Sequence, residues 1–191
     1  MGVRITLVAA AGGSALLSER FGDDRSLDQA GWYAARLAAG GLVPLNAAEL
    51  RYCSPTVRCR TTAQALGLAS MAQPALRDCD MGRWRGHTLG EVTAVTPDAV
   101  ELWLADPRSA PHGGESLLAF ISRIGGWLDT RPAGDGGSVV AVAEPSVVRA
   151  ALVYALNAPP SSYWNVDVPP LSTVVLTGRA GYWSLRLPTA A

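Results

Sequence analysis

Lysine is missing altogether from the 191 residues, and since alanine is at the same time very abundant, this reads as GC-rich coding bias and supports no functional argument. The 16 basic residues, all arginine, are balanced by 16 acids. Net charge therefore points to no nucleic acid, no anionic membrane surface and no acidic substrate, and partners must be argued from sites. Cysteine is scarce. Cys53, Cys59 and Cys79 form an odd set without CxxC spacing, which argues against a disulfide framework or a zinc site and leaves buried free thiols. No metal and no cofactor is expected. No apolar run approaches the ~18 residues of a spanning helix. The opening "MGVRITLVAA" is too short, and too soon followed by Gly-Gly, to be a secretory core, so a cytoplasmic protein is expected. There is no internal repeat or low-complexity tract.

What is present is apolar patterning. With 49% apolar and 17% charged residues, the chain suffices for one well-buried core and is short for two, so a single domain over 1–191 is expected. Val3 to Ala10 is a continuous apolar run, as in a strand buried on both faces of a parallel sheet. "SLDQ" forms a capping box that should open a helix at Ser26, with Leu27, Ala30, Ala34, Leu37 and Ala38 as its stripe and Gly40-Gly41 as its stop. A short strand over Glu49–Cys53 follows, then a helix capped by Ser54, with Pro55 in its first turn, reaching about Leu68. Residues 78–111 are rich in Gly, Pro and Arg and read as a lid-like insertion of loops and short helices. A helix is expected from Ser116, a buried strand over Ser138–Glu144 with a helix behind it, and two closing strands, "STVVLTG" and "YWSLRLP". Strands alternating with helices predict an α/β fold, a three-layer αβα sandwich with a mostly parallel sheet. Ligands then bind outside the carboxyl ends of the strands. There the "AAAGG" and "EPS" loops should meet, with Arg58 brought in by its helix.

In order, "RFGDDRSLDQAG", "CSPTVRCRTTAQAL", "LRDCDMGRWRGHTL", "ELWLADP", "HGGES" and "VVAVAEPSVVRAAL" resemble the histidine phosphatase superfamily, the phosphoglycerate-mutase-like group, over nearly the whole chain. The resemblance implies a phosphoglycerate-mutase-like fold. It also implies a nucleophilic histidine in an RHG motif after the first strand, a second arginine from SPxxRxxxTA, a second histidine from an HGG turn, and an acidic proton donor, which together transfer a phosphoryl group by way of phosphohistidine. Matched residue by residue, Arg58 stands at the second arginine and Asp78 at the acid. Ala9 and Ala10 stand where the family has Arg and the nucleophilic His, and Glu144-Pro145-Ser146 replaces HGG; a one-residue slip only substitutes Ala10 and Ala11. The Trp-Glu-Gly motif has become Trp84-Arg85-Gly86. Alanine forms no bond to phosphorus, and Ser14 and Thr61 lie outside the matching position. A carboxylate within about 4 Å of a phosphoryl oxygen repels it by ~4 kcal/mol at an effective dielectric of 20. One arginine against two acids leaves the matched positions net negative, so inorganic phosphate should bind poorly.

Catalytic residues by the family mechanism are thus expected to be absent, the vestigial site being Ala9, Ala10, Arg58, Asp78 and Glu144, with Arg58, Asp78, Trp84, His112 and Glu144 as ligand-binding candidates. Glu144 has two readings. It neutralises Arg58 in a salt bridge, or it serves as general base with Asp78 as general acid, although pairing with Arg58 should lower its pKa. His112 is either a replacement nucleophile or a solvent-exposed loop residue, and His87 caps or hydrogen-bonds locally. Trp84 and Trp103 should wall the pocket, while Trp32, Trp127, Trp164 and Trp183 should pack core or surface. Arg83 and Arg85 make either a secondary anion site or an exposed pair. The expected protein is a pseudophosphatase that keeps the crevice and binds a small molecule or a protein, not an active phosphatase or phosphoglycerate mutase. Alternatives are an acid-base enzyme acting on a small uncharged or cationic metabolite, and residual phosphatase or mutase activity. Relatives often form dimers, but no helix face here demands a homodimer.

Overall fold

The structure is a computed structural model and describes residues 2–12, 20–131 and 137–187, without the side chains of 42–44. Ser14 lies outside the described residues. Among them, six strands form one sheet: β1 (Val3–Ala9), β2 (Leu50–Cys53), β3 (Met71–Ala72), β4 (Ser138–Ala143), β5 (Thr173–Arg179) and β6 (Tyr182–Arg186), in the order β3-β2-β4-β1-β5-β6. The pairs from β3 to β1 are parallel, and β5 and β6 run antiparallel along one side. The expected α/β, mostly parallel architecture is therefore observed.

Alternation within β1 and β4 builds the layers. Val3, Ile5, Leu7 and Ala9, with Val139, Ala141 and Ala143, face the core shared with α5 (Leu117–Asp129) and α6 (Pro145–Ala155). Val8 and Ala10, with Val140 and Val142, face the opposite core, to which α2 (Val57–Ala65) contributes Cys59 and Ala63. At Gly125 in α5 an added Cβ would run into the Tyr154 ring of α6, so these two helices pack closer than a side chain would permit.

Helix starts differ from the expected ones for local reasons. α1 (Gln29–Ala38) is capped by Asp28, whose carboxylate accepts the Gly31 N–H at 2.7 Å, and not by Ser26. Starting there leaves Leu27 outside the helix, where it packs on the cluster of Ala11, Ala35 and Ala65. Beyond Ala38 the chain continues as a 3-10 helix over Ala39–Ala47, so Gly40-Gly41 does not end the turn structure. Thr56, not Ser54, caps α2, because the Ser54 N–H is still engaged with the Val142 carbonyl beside the β2 ladder. The helix ends at Ala65, short of Leu68. The strand Met71–Ala72 was not expected.

Residues 78–111 contain a 3-10 turn (Gly82–Trp84), α3 (Leu89–Val95), with a Thr88/Glu91 capping box, and α4 (Pro97–Ala105). They form a small core of their own, Met81, Trp84, Val92, Val100 and Trp103, with Phe21 and Trp164 against it. The base of this segment is drawn together by main chain. Arg83 N–H donates to the His112 carbonyl and Glu115 N–H to the Asp80 carbonyl. Gly82 (φ +47°) and Gly114 lie where a Cβ would strike the opposing backbone. No described helix is long and apolar enough to cross a membrane.

Candidate functional site

β1, β2 and β4 end on the same edge of the sheet, and their following loops diverge in character. At the end of β1, Ala9, Ala10 and Ala11 are fully buried. Ala9 packs in the α5/α6 core, Ala10 in the α2 core, and the Ala11 N–H donates to Thr62 Oγ1 of α2 at 3.1 Å. None of these three lines the cleft, although the Ala10 N–H donates to the Ala143 carbonyl just before "EPS".

After β4 the chain places Glu144 at the cap position of α6, yet its carboxylate does not cap that helix. It reaches instead to the start of α2. Oε1 accepts from Thr56 Oγ1 at 2.9 Å, and Oε2 lies 3.1 Å from Arg58 Nε. The Thr56 hydroxyl therefore caps α2 through the Cys59 N–H and donates its own proton to Glu144. Arg58, held at the second residue of α2, completes the expected salt bridge, and its guanidinium also reaches the Asp23 carbonyl. Burial pushes the Glu144 carboxyl above its ordinary range, opposed by Arg58 and reinforced by the charge of Asp78. This corrects the expectation that Arg58 would lower it: Glu144 is only 3% exposed, and desolvation outweighs the pair. Burial likewise pushes up the thiol of Cys59, beside the same carboxylate.

Asp78 joins Glu144 at this edge. Its Oδ1 accepts both the Ser146 hydroxyl, at 2.5 Å, and the Cys79 N–H, at 2.7 Å. Arg123 of α5 steadies the stretch leading to it: while in a two-pronged pair with Glu115, it donates to the carbonyls of Ala75, Arg77 and Asp78. The cleft beyond is an open one, with a cavity of about 100 Å³ between its walls. Its far wall is aromatic: Trp103 meets Trp164 edge-on at 4.7 Å, and Trp164 meets Tyr163 at 5.0 Å. Arg149, on α6, lies over the Tyr163 ring and donates from Nε to the Val166 carbonyl. Its Nη1 is buried and has no hydrogen-bond acceptor among the described residues. The cleft thus carries Arg20, Arg58 and Arg149 against Asp23, Asp78 and Glu144, a balanced set and not the net negative one counted from matched positions.

Other candidates fall elsewhere. His112 is 1% exposed, accepts the Gly114 N–H on Nδ1, and packs on Trp84 at 5.1 Å. Burial lowers its pKa. It is neither an exposed loop residue nor part of the cleft, since the laced base of 78–111 encloses it. Trp84 is the buried hub between Phe21, Trp103 and His112, one layer behind the wall it was expected to form. Trp164 packs against both neighbouring cores, as expected, and in addition faces the cleft. Arg83 donates to the Pro111 carbonyl, whereas Arg85 lies 3.9 Å from Asp80, so they share no anion site. His87 is exposed beside Glu91. The missed residues are Arg149, Tyr163 and Trp164. Only Arg149 left a signal, following Glu144 by five positions within a helix that starts at the crevice. No group of three or more His, Cys, Asp or Glu among the described residues could hold a metal ion.

A family model described as the histidine phosphatase superfamily (branch 1) matches residues 19–190. The chain belongs to the histidine phosphatase superfamily. The match starts downstream of β1 and includes Arg58, Asp78 and Glu144. A glucosyl-3-phosphoglycerate phosphatase of Mycolicibacterium vanbaalenii is 38% identical over 122 residues, covering 57% of this chain and 53% of that protein. A bifunctional protein of Mycobacterium tuberculosis is 30% identical over 137 residues, covering 69% of this chain and 38% of that protein. The chain thus spans between about a third and about half of these curated relatives. Among solved structures, a mycobacterial glucosyl-3-phosphoglycerate phosphatase complexed with VO3 superposes with a TM-score of 0.80 at 25% identity, covering 98% of this chain and 99% of that one. A phosphoserine phosphatase mutant from Entamoeba histolytica, in complex with phosphoserine, superposes at 0.81 with 18% identity, covering 96% and 94%, and speaks to fold alone.

Proposed function

We propose that this protein is a pseudophosphatase: a histidine-phosphatase fold that has lost the RHG motif and phosphohistidine chemistry and uses its cleft to bind a small molecule. The observation that carries this reading is the pairing of Arg58 with Glu144 at the position matched to the second histidine. An arginine that would otherwise clamp a phosphoryl oxygen already holds a carboxylate, and a phosphate entering there meets that carboxylate's charge. The sealed alanines at the end of β1 support the same reading, because no imidazole projects from the matched position. In this account the chain is a single domain, residues 78–111 cover the cleft through Met81 and Trp103, and the free thiols suit a cytoplasmic protein.

The test is a p-nitrophenyl phosphate assay alongside thermal-shift titrations with phosphate and vanadate. No turnover and no stabilisation at millimolar anion are expected; turnover, or a shift of several degrees, overturns the reading. One observation favours a second reading, acid-base chemistry on a non-phosphorylated metabolite: burial raises the pKa of Glu144, which makes it a stronger base than an ordinary carboxylate.

A further inference from the structure

Among the described residues, two charged groups of the cleft lack a counter-ion. Arg58 pairs with Glu144, Arg20 with Glu91, and Asp23 with Arg25. Arg149 and Asp78 form no ion pair within 4.0 Å among the described residues. Arg149 is 6% exposed, with Nη1 lacking an acceptor, and a guanidinium so placed is costly unless something completes it. The Asp78 hydrogen bonds both fall on Oδ1, leaving Oδ2 to accept from a ligand. A phosphate monoester would satisfy Arg149 and be repelled by Asp78 and Glu144. A neutral sugar would leave both charges uncompensated. A zwitterion neutralises both at once, and the Trp103, Trp164 and Tyr163 wall offers a flat apolar body its packing partners.

We propose that the cleft binds a free, unphosphorylated aromatic amino acid as its zwitterion, with the carboxylate on Arg149 and the ammonium on Asp78. This rests on the pseudophosphatase reading of the same site and names its ligand class. Carboxylate on guanidinium is a charge-assisted contact and ammonium on a part-buried carboxylate is another, so each end contributes to affinity independently.

The experiment is titration calorimetry on the unmodified protein with tryptophan, phenylalanine and tyrosine, then with tryptophan methyl ester, which lacks the carboxylate charge, and N-acetyltryptophan, which lacks the ammonium. At least one free amino acid should bind saturably. For tryptophan, each blocked form should bind at least about tenfold more weakly. Asp78→Asn should weaken tryptophan by a similar factor but not weaken N-acetyltryptophan, an anion freed of Asp78's repulsion, a readout that misfolding would not produce. The proposal is overturned if no aromatic amino acid binds at millimolar concentration, or if a blocked form binds as well as the parent. Hydrolysis of p-nitrophenyl phosphate would instead count against the pseudophosphatase reading, so the two failures are distinguishable.

Discussion

β1 and β4 lie side by side in parallel register, Ala9 opposite Ala143, yet the residues at and just past their ends behave in opposite ways. At the end of β1 the chain offers three methyl groups, those of Ala9, Ala10 and Ala11, each packed into apolar surroundings. Past β4 it offers a buried carboxylate held by a hydroxyl and a guanidinium. Both ends occupy the edge of a parallel sheet where ligands bind, so topology alone does not make a site. The polar chemistry of this cleft comes from Glu144 just past β4, from α6, from the start of α2, and from Asp78 and the Arg20–Asp23 stretch, whereas Ala9, Ala10 and Ala11 supply packing.

The contrast is broken most severely by removing one partner of the polar end. Arg58→Met should cost about 3 kcal/mol, the lower end for a broken buried pair, because Arg58 keeps 15% exposure. Urea unfolding at neutral pH measures it, and a loss below about 1 kcal/mol would assign the pair the weight of a surface contact. Next comes Ala10→His. An imidazole forced into the α2 core should cost about 1–3 kcal/mol by overpacking, and p-nitrophenyl phosphate should still not be turned over; activity in this variant would show that the β1 end can open. The smallest effect is a slope. Glu144 has a raised folded-state pKa, so the native state binds its proton more tightly than the unfolded chain does. Its contribution to stability is full below the ordinary value of 4.5 and is lost as pH rises toward the raised value. Glu144→Gln should remove that decline, seen as a stability difference between variant and wild type that grows above pH 4.5.

The framework of this molecule was legible where apolar periodicity is long: β1, β4, and α5 with its Ser116 cap all lie close to where the pattern puts them. The start of α1 was not, because Ser26 and Asp28 are both good caps and the choice depends on where Leu27 packs. The Arg58–Glu144 pair was readable because both residues flank strand ends on one edge. Its proton affinity was not, since burial is a property of the folded surroundings. Tyr163 and Trp164 sit in a 3-10 turn without apolar periodicity, so nothing local aims them at the cleft. His112 shows the converse: a glycine-rich neighbourhood suggests solvent, but the crossing of backbone at Gly82 and Gly114 shuts the ring inside.

That crossing also makes residues 83–113 a loop tied off at its own neck. The knot is made of peptide groups and glycines, with the His112 and Arg83 side chains at the neck itself, so it does not depend on the helices beyond it. Evolution could then exchange the helices above it, and with them the roof of the cavity, while the carboxylates and guanidinium groups of the floor stayed where they are.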